Sequence, residues 1–207
     1  MNVVSIDFDI IMEPDINLYN NWVGTDGDNG VNDLIQKYSL LDHLKADLNV
    51  YEYLTRFLIK VIKKIDYENI YFIENHDTLV RYIGNSAINL WNIDHHHDIT
   101  YDEENVSIPV LECHCGNWIK YLMDYKRVKQ YTWIKNANSM EPMEHVSKVY
   151  NHKEKVLKEY NLDILIEKID RLFICKSPEW VPRHYLPLFD AWIAICEEYY
   201  GEPFKVI

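Results

Sequence analysis

Short apolar segments of strand length alternate with helix-periodic segments about five times along this chain of 207 residues. The apolar segments are 1–8, 70–73, 88–93, 131–134 and 172–175. The helix-periodic segments are 51–65, 117–128, 143–160 and 189–199. Strands that are joined through helices run parallel, and a parallel sheet buries both of its faces. The sequence therefore predicts an α/β fold, a three-layer sandwich with a mostly parallel central sheet, in one domain over residues 1–207.

The charge of the chain limits the partners that it binds. Asp and Glu number 33 against 21 Lys and Arg, and the formal net charge of −12 disfavours duplex nucleic acid and anionic membranes. No apolar run is long enough to span a bilayer, and the N-terminus lacks a secretory signal pattern. Four cysteines fit a reducing compartment. We therefore expect a cytoplasmic protein with no nucleic-acid or membrane partner, and the oligomeric state stays open.

Charged and polar side chains follow the apolar segments at the points where the predicted strands end. They are Asp7 and Asp9 after the first, Glu74 and His76 after the second, 94–98 after the third, and Ser177 to Glu179 after the last. The carboxyl ends of parallel strands lie at one edge of a sheet, where ligands bind in such folds. We therefore expect these side chains to meet at one edge.

The segment 94–98 consists only of aspartate and histidine, in the order Asp-His-His-His-Asp. In an extended chain, Asp94, His96 and Asp98 project to one side, whereas His95 and His97 project to the other. Two carboxylates around an imidazole suit a hard or borderline divalent cation. The sequence therefore predicts that Asp94, His96 and Asp98 are metal ligands. The other two histidines are expected to support the site or to pack beside it.

Asp7 and Asp9 form a second pair of carboxylates, directly after a predicted buried strand. Several acids that are brought together without cations repel one another and oppose folding. Four carboxylates neutralise two divalent cations, and two imidazoles complete the ligand set. His76 is the sixth candidate ligand because it follows the apolar segment 70–73.

Two other patterns are weaker indications of a metal. The segment 24–33 is rich in glycine and aspartate, but Val31 stands where a calcium-binding loop needs glycine and no glutamate closes the pattern. We interpret it as a surface loop. Cys113, His114 and Cys115 lack the second cysteine pair that is typical of a zinc site, so we expect free buried thiols there.

The motifs, in their order along the chain, resemble those of the arginase and agmatinase superfamily, and most closely those of the small peptide arginases. They are SIDFDI, YFIENHD, WNIDHHHDI and SPEW, and the resemblance covers about residues 3–195. It implies an arginase/deacetylase-like fold for a single catalytic domain. Ordinary arginases carry the Asp-x-Asp pair late in the chain, whereas here it comes first, as if the strand order were permuted. The chain is also shorter than theirs, so their substrate-binding loops are not transferred.

The resemblance implies two Mn²⁺ ions per chain. One ion would be held by Asp7, His76, Asp94 and Asp98, and the other by Asp7, Asp9, Asp94 and His96. Asp7 and Asp94 would then bridge the two ions. Members of this family hydrolyse arginine to ornithine and urea. Two cations lower the pKa of a shared water, which then attacks the guanidinium carbon near neutral pH.

The same resemblance implies roles for three residues around the metals. Asp98 would orient the attacking water, and Glu179 would pair with the guanidinium group through parallel hydrogen bonds. His114 would carry a proton to the departing amine. The implied activity is hydrolysis of arginine side chains in a ribosomally synthesised precursor peptide, which gives ornithine and urea. Free arginine or another guanidino compound stays open as the substrate.

Two other functions stay open on the same residues. Asp94, His95 and His96 also match a metal-dependent phosphoesterase of the Asp-His-His type, in which an early Asp-x-Asp pair occurs as well. The histidine expected before that pair is missing here, and the chain is short for the usual second domain. A metal-binding or peptide-binding module without turnover would use the same ligands, with aromatic residues lining a peptide groove.

Overall fold

The computed structural model describes residues 1–13, 45–100, 108–139 and 150–207. The segment 24–33 and residues 143–149 of a predicted helix lie outside these ranges. The strands are β1 (Asn2–Asp7), β2 (Met12–Glu13), β3 (Lys45–Ala46), β4 (Ile70–Ile73), β5 (Ile88–Ile93), β6 (Val128–Lys135), β7 (His152–Val156) and β8 (Arg171–Cys175). The helices are α1 (Leu48–Val61), α2 (Leu79–Tyr82), α3 (Trp118–Asp124), α4 (Asp163–Ile166) and α5 (Leu186–Tyr200). Short 3-10 helices span Phe8–Ile11, Tyr67–Asn69, His76–Thr78, Leu157–Glu159 and Arg183–Tyr185.

The central sheet has six strands in the order β4-β8-β1-β5-β6-β7, and all neighbouring pairs are parallel. Every apolar segment that was predicted to be a strand is part of this sheet. The central strands are apolar on both faces because helices cover both faces. The short strands β2 and β3 form a separate antiparallel pair.

Helices pack on both faces of the sheet, which is consistent with a three-layer sandwich. On one face, α1 and α5 contribute Leu54 and Trp192 to an apolar cluster that includes Val4 of β1. On the other face, α3 contributes Trp118 to a cluster that includes Val3 of β1. Successive strand residues therefore bury their side chains in opposite layers. None of the helices in the described residues is long and apolar enough to cross a membrane.

The predicted helix over 143–160 is wrong for the part that the structure describes. His152–Val156 is strand β7, and Leu157–Glu159 is a 3-10 helix. As an edge strand, β7 has a single neighbour, β6, and it exposes Lys153 and Lys155 to solvent. Charged side chains on an edge strand prevent unwanted pairing with other chains. They also remove the apolar run by which a central strand is recognised in a sequence.

Candidate metal centre

The predicted metal ligands lie together at the carboxyl edge of the sheet. Asp7 ends β1, Asp94 follows β5, and β1 and β5 are neighbours in the sheet. His76 begins the 3-10 helix that follows β4. The ligand atoms form two groups, and within each group all atoms lie within 4.8 Å of one another. One group consists of His76, Asp94 and Asp98, and the other of Asp9, Asp94 and His96. Asp94 belongs to both groups. The buried Asp and His side chains can therefore hold a metal ion.

The ligand group of His76, Asp94 and Asp98 lies around the imidazole of His76. Its Nδ1 atom lies 3.2 Å from Asp7 Oδ2, 3.3 Å from Asp98 Oδ2 and 3.5 Å from Asp94 Oδ2. The other ring nitrogen, Nε2, lies 3.0 Å from the hydroxyl of Ser5. One nitrogen therefore faces three carboxylates, and the other is bound to the sheet below. A third possible ligand group joins Asp7 and His76 to the thiol of Cys175.

The ligand group of Asp9, Asp94 and His96 lies around the imidazole of His96. Its Nδ1 atom lies 3.1 Å from Asp9 Oδ2 and 3.7 Å from Asp94 Oδ1. The other oxygen of Asp9, Oδ1, is buried and has no hydrogen-bond partner among the described residues. A buried carboxylate oxygen without a donor is costly. A cation at this position would satisfy it.

Local hydrogen bonds explain why Asp7 and Asp9 reach the same site although they are two residues apart. Asp7 Oδ1 accepts a hydrogen bond from the backbone N–H of Asp9, at 3.0 Å. This bond caps the 3-10 helix Phe8–Ile11 at its start. The chain turns directly after the strand, and Asp9 therefore points to the edge of the sheet instead of into a helical layer.

The segment 94–98 is bent, although the alternation of its side chains was predicted for an extended chain. Asp94 Oδ1 accepts a hydrogen bond from the backbone N–H of His96, at 2.8 Å. Asp98 has a positive φ of 53°, in the left-handed region that is rare for residues other than glycine. The predicted division of the side chains nevertheless holds: Asp94, His96 and Asp98 lie in the cluster, and the other two histidines do not.

His95 and His97 make contacts away from the ligand groups. His95 is buried, with Nε2 at 2.8 Å from the carbonyl oxygen of Met12 and Nδ1 at 3.0 Å from the hydroxyl of Ser139. Burial lowers its pKa, which favours the neutral ring. His97 Nδ1 accepts a hydrogen bond from the N–H of Ile99, at 3.1 Å. Both histidines thus tie the 94–98 segment to its surroundings.

Burial and the charges of neighbouring acids shift the titration of these side chains. Burial, followed by the charge of Asp9, raises the pKa of Asp7 to about 7. Burial and the charges of Asp98 and Asp7 raise the pKa of Asp94 well above its usual value. Burial alone would lower the pKa of His76, but the neighbouring charge of Asp7 raises it. These shifts describe a site that attracts positive charge.

Asp9 shifts in the opposite direction from the other two acids. Burial alone would raise its pKa, but the hydrogen bond and the charge of His96 lower it. The carboxylates and imidazoles together form an oxygen-rich set with two nitrogen donors, which suits a hard or borderline divalent cation. The donor set and the unsatisfied oxygen of Asp9 both fit a bound metal.

The segment 177–180 lies against the buried candidate ligands. The hydroxyl of Ser177 donates a hydrogen bond to Asp7 Oδ2, at 2.7 Å, and Ser177 has a positive φ of 46°. The ring of Trp180 lies against the ring of His96, with 5.1 Å between their centroids. Glu179, between these two contacts, is exposed. With its nitrogen turned toward this acid, the amide of Asn75 donates to Glu179 Oε2, at 3.2 Å. Glu179 therefore lies at the rim and not among the buried ligands.

His114 is an exposed residue in the turn before α3. Its Nδ1 accepts a hydrogen bond from the N–H of Gly116, at 3.2 Å, so that a neutral ring carries its proton on Nε2. Loss of hydration and the charges of Asp98 and Glu179 raise the pKa of the neighbouring Cys115 to about 11. The turn thus borders the acidic site. Cys113 and Cys115 are free thiols, as the sequence predicted, but the predicted burial is wrong: Cys113 is half-buried and Cys115 is exposed, because both lie in the turn before α3.

Four contacting residues were not identified from the sequence as part of the site. Trp118 donates its indole N–H to Asp98 Oδ2, at 2.5 Å. Asn92 donates its amide N–H to Asp94 Oδ2, at 3.0 Å. Ser5 and Cys175 are the other two. Ser5, Asn92 and Cys175 could have been found only from the strand pairing. Ser5 is the register partner of Asn92, and Cys175 is the register partner of Asp7.

Comparisons with protein-family models, with curated proteins and with solved structures found no match for this chain. They assign neither a family nor a reaction. The function is therefore inferred from the residues of the chain and their arrangement.

Proposed function

We propose that this protein is a dimanganese hydrolase of the arginase type, with an arginase-like fold, that converts arginine side chains of a peptide to ornithine and releases urea. The observation that carries the proposal is the position of Asp94, whose two oxygens take part in two adjoining ligand groups. A carboxylate shared in this way suits a pair of cations better than a single one. The ordered motifs of the sequence supply the reaction class.

The six ligands divide between two ions. Asp98 and His76 would bind the first, and Asp9 and His96 the second, with Asp94 between them. Asp7 would be the second shared carboxylate, which its position 3.2 Å from His76 Nδ1 and its contact with the N–H of Asp9 support. Four carboxylates balance the charge of two divalent cations. The proposal of Mn²⁺ follows from this oxygen-rich set together with the motif resemblance.

The chemistry needs a water nucleophile and a place for a planar cation. Bound divalent cations would lower the pKa of a water molecule and so supply a nucleophile near neutral pH. Asp98, which is held by the indole N–H of Trp118, would orient that water. The water attacks the guanidinium carbon, the bond between that carbon and the chain nitrogen breaks, and the proton that the water gives up passes to the departing amine. His114 is the candidate that carries this proton.

The rim of the site supports a cationic substrate. Glu179 is exposed, and Asp77 is half-buried beside the buried ligand His76. A carboxylate that pairs with a guanidinium through parallel hydrogen bonds gives both charge and direction. The net charge of −12 favours the approach of a peptide that carries arginine. Glu179 is therefore the proposed guanidinium-binding residue.

One contact weakens the alternative of an Asp-His-His phosphoesterase. Among the three residues of that motif, His95 is bound to Met12 and Ser139 and belongs to neither of the two ligand groups that share Asp94. The adjacent histidine pair therefore does not act as one unit. A binding module without turnover uses the same ligands as the enzyme, and only an assay of urea distinguishes the two.

The test is urea release by the purified chain loaded with Mn²⁺. An arginine-containing peptide is the substrate, the same peptide with lysine in place of arginine is the control, and mass spectrometry follows the conversion to ornithine. Free arginine, agmatine, a phosphodiester and a phosphomonoester are assayed in parallel. Metal bound without release of urea from any guanidine would refute the proposed reaction and favour a binding module. Cleavage of the phosphoester alone would favour the phosphoesterase.

A further inference from the structure

Two polar side chains lie inside the central sheet, directly below the candidate metal centre. Ser5 of β1 and Asn92 of β5 are both fully buried, and they are register partners on neighbouring strands. The buried residues before them on the same face, Val3 and Leu90, are apolar. Burial of a polar group costs free energy unless the group is hydrogen-bonded. Two such groups side by side in a sheet centre therefore need a reason.

Each of the two side chains contacts one candidate metal ligand. The hydroxyl of Ser5 lies 3.0 Å from Nε2 of His76. The amide nitrogen of Asn92 donates to Oδ2 of Asp94, at 3.0 Å. His76 and Asp94 belong to the same ligand group, with 3.5 Å between His76 Nδ1 and Asp94 Oδ2. Ser5 and Asn92 thus hold His76 and Asp94.

One atom of this arrangement has no partner among the described residues. Asn92 Oδ1 is buried and accepts no hydrogen bond there. Ser5 is the register partner of Asn92, but its hydroxyl donates no hydrogen bond to Asn92 Oδ1, so each of the two side chains acts on its own ligand.

We propose that Ser5 and Asn92 are positioning residues that hold His76 and Asp94 in the form and orientation that bind the metal. His76 donates its Nε2–H to Ser5, and Asn92 donates to Asp94. A neutral imidazole with its proton on Nε2 leaves the lone pair of Nδ1 for a cation, and Nδ1 is the atom that faces the carboxylates. The inference rests on the metal-binding part of the proposed function and not on the reaction.

The experiment measures the affinity of the metal-stripped full chain for Mn²⁺ by titration at one pH. We expect Ser5→Ala and Asn92→Ala each to raise the Kd by about 10- to 100-fold, as replacements of residues that orient metal ligands do. The visible spectrum of the Co²⁺-loaded protein should also change in both variants. Because the two residues hold different ligands and no hydrogen bond joins them, the double variant should lose about as much affinity as the two single variants together.

Two matched controls separate positioning from a general loss of structure. Ser139→Ala removes a hydroxyl that lies 3.0 Å from a buried imidazole, that of His95, which is not a ligand. Asn89→Ala removes an amide of the same strand that contacts Asn2 instead of the site. Both controls should keep the Kd within about twofold and leave the Co²⁺ spectrum unchanged, since they leave the residues that orient the ligands in place.

The possible outcomes are distinct. If both test variants bind Mn²⁺ like the original chain, or if the controls lose as much affinity as the test variants, the positioning role is refuted. Either test variant suffices if the other does not fold. If the original chain binds Mn²⁺ and the predicted losses occur but no urea is released, the proposed reaction fails and this inference stands. If the original chain binds no Mn²⁺, both fall.

Discussion

Replacement of Asp7 by asparagine should stabilise the metal-free protein while it weakens metal binding. Asp7 is buried between Asp9, His76 and Ser177, and burial followed by the charge of Asp9 raises its pKa from 3.8 to about 7. Asparagine has nearly the same shape, keeps an oxygen that accepts from the N–H of Asp9, and carries no charge. The substitution Asp7→Asn therefore removes the electrostatic cost without opening a cavity.

The size and the pH range of the effect follow from the two pKa values of Asp7. Between pH 3.8 and about pH 7, the folded chain keeps a proton on Asp7 that the unfolded chain has released. Stability therefore falls as the pH rises through this range, and the whole cost is present above pH 7. Each pKa unit corresponds to about 1.4 kcal/mol, so the cost reaches about 4 kcal/mol. Asp7→Asn should be more stable than the original chain by up to this amount at pH 8, and much less so at pH 5.

Urea unfolding followed by tryptophan fluorescence, in the presence of a chelator and at several pH values from 5 to 8, measures the effect. Addition of Mn²⁺ at a thousand times its Kd should cancel this advantage, because it stabilises the original chain by about 4 kcal/mol, whereas the variant has lost a ligand and gains less. Asp47→Asn is the control. Burial alone would raise the pKa of this helix-capping acid, but its bonds to Lys158 and to the N–H groups of Val50 and Asn49 together lower it, so its loss should not stabilise. A variant Asp7→Asn that is less stable at pH 8 without metal, or a difference that does not change with pH, would refute the reasoning.

Four further substitutions test the remaining parts of the site. Asp94→Ala should abolish urea release and lower the bound manganese measured by metal analysis. His95→Ala should keep both, because the hydrogen bonds of His95 lie outside the ligand groups, but it should lose roughly 1–3 kcal/mol of unfolding free energy. Trp118→Phe removes the N–H that binds Asp98, and a lost hydrogen bond to a charged group of about 1.5–3 kcal/mol should lower kcat/KM by roughly 10- to 100-fold in steady-state kinetics. Glu179→Gln should raise KM for an arginine peptide by at least about tenfold and leave the metal content unchanged, because this acid lies at the rim; an unchanged KM would argue against its role.

The strands of the sheet were predictable because central parallel strands bury both faces. The run Ile88–Ile93 is apolar at all positions except two asparagines, and such a run is visible in a sequence without any tertiary information. The edge strand β7 was missed for the same reason. It buries little, so its charged residues Lys153 to Lys155 carry no strand signal, and only its pairing with β6 defines it.

The candidate ligands were predictable for a related reason. Side chains that follow parallel strands lie at one edge of the sheet whatever the strand order is, so the chemistry of Asp94 to Asp98 could be joined to that of Asp7. The supporting residues could not be found in this way. Trp118 reaches Asp98 from a helix 20 residues later in the chain, and no local pattern encodes that contact.

The amino-acid sequence by itself determined the layer architecture and the kinds of side chain at the strand ends, because both follow from local patterns of burial and charge. The tertiary structure decided which strands are neighbours. With β1 between β8 and β5, Asp7 lies beside both Cys175 and Asp94, and Ser5 lies beside Asn92. Strand order depends on the packing of distant segments against one another, and the ångström-scale distances that a metal site needs depend on strand order. Those distances therefore exist only in the folded chain.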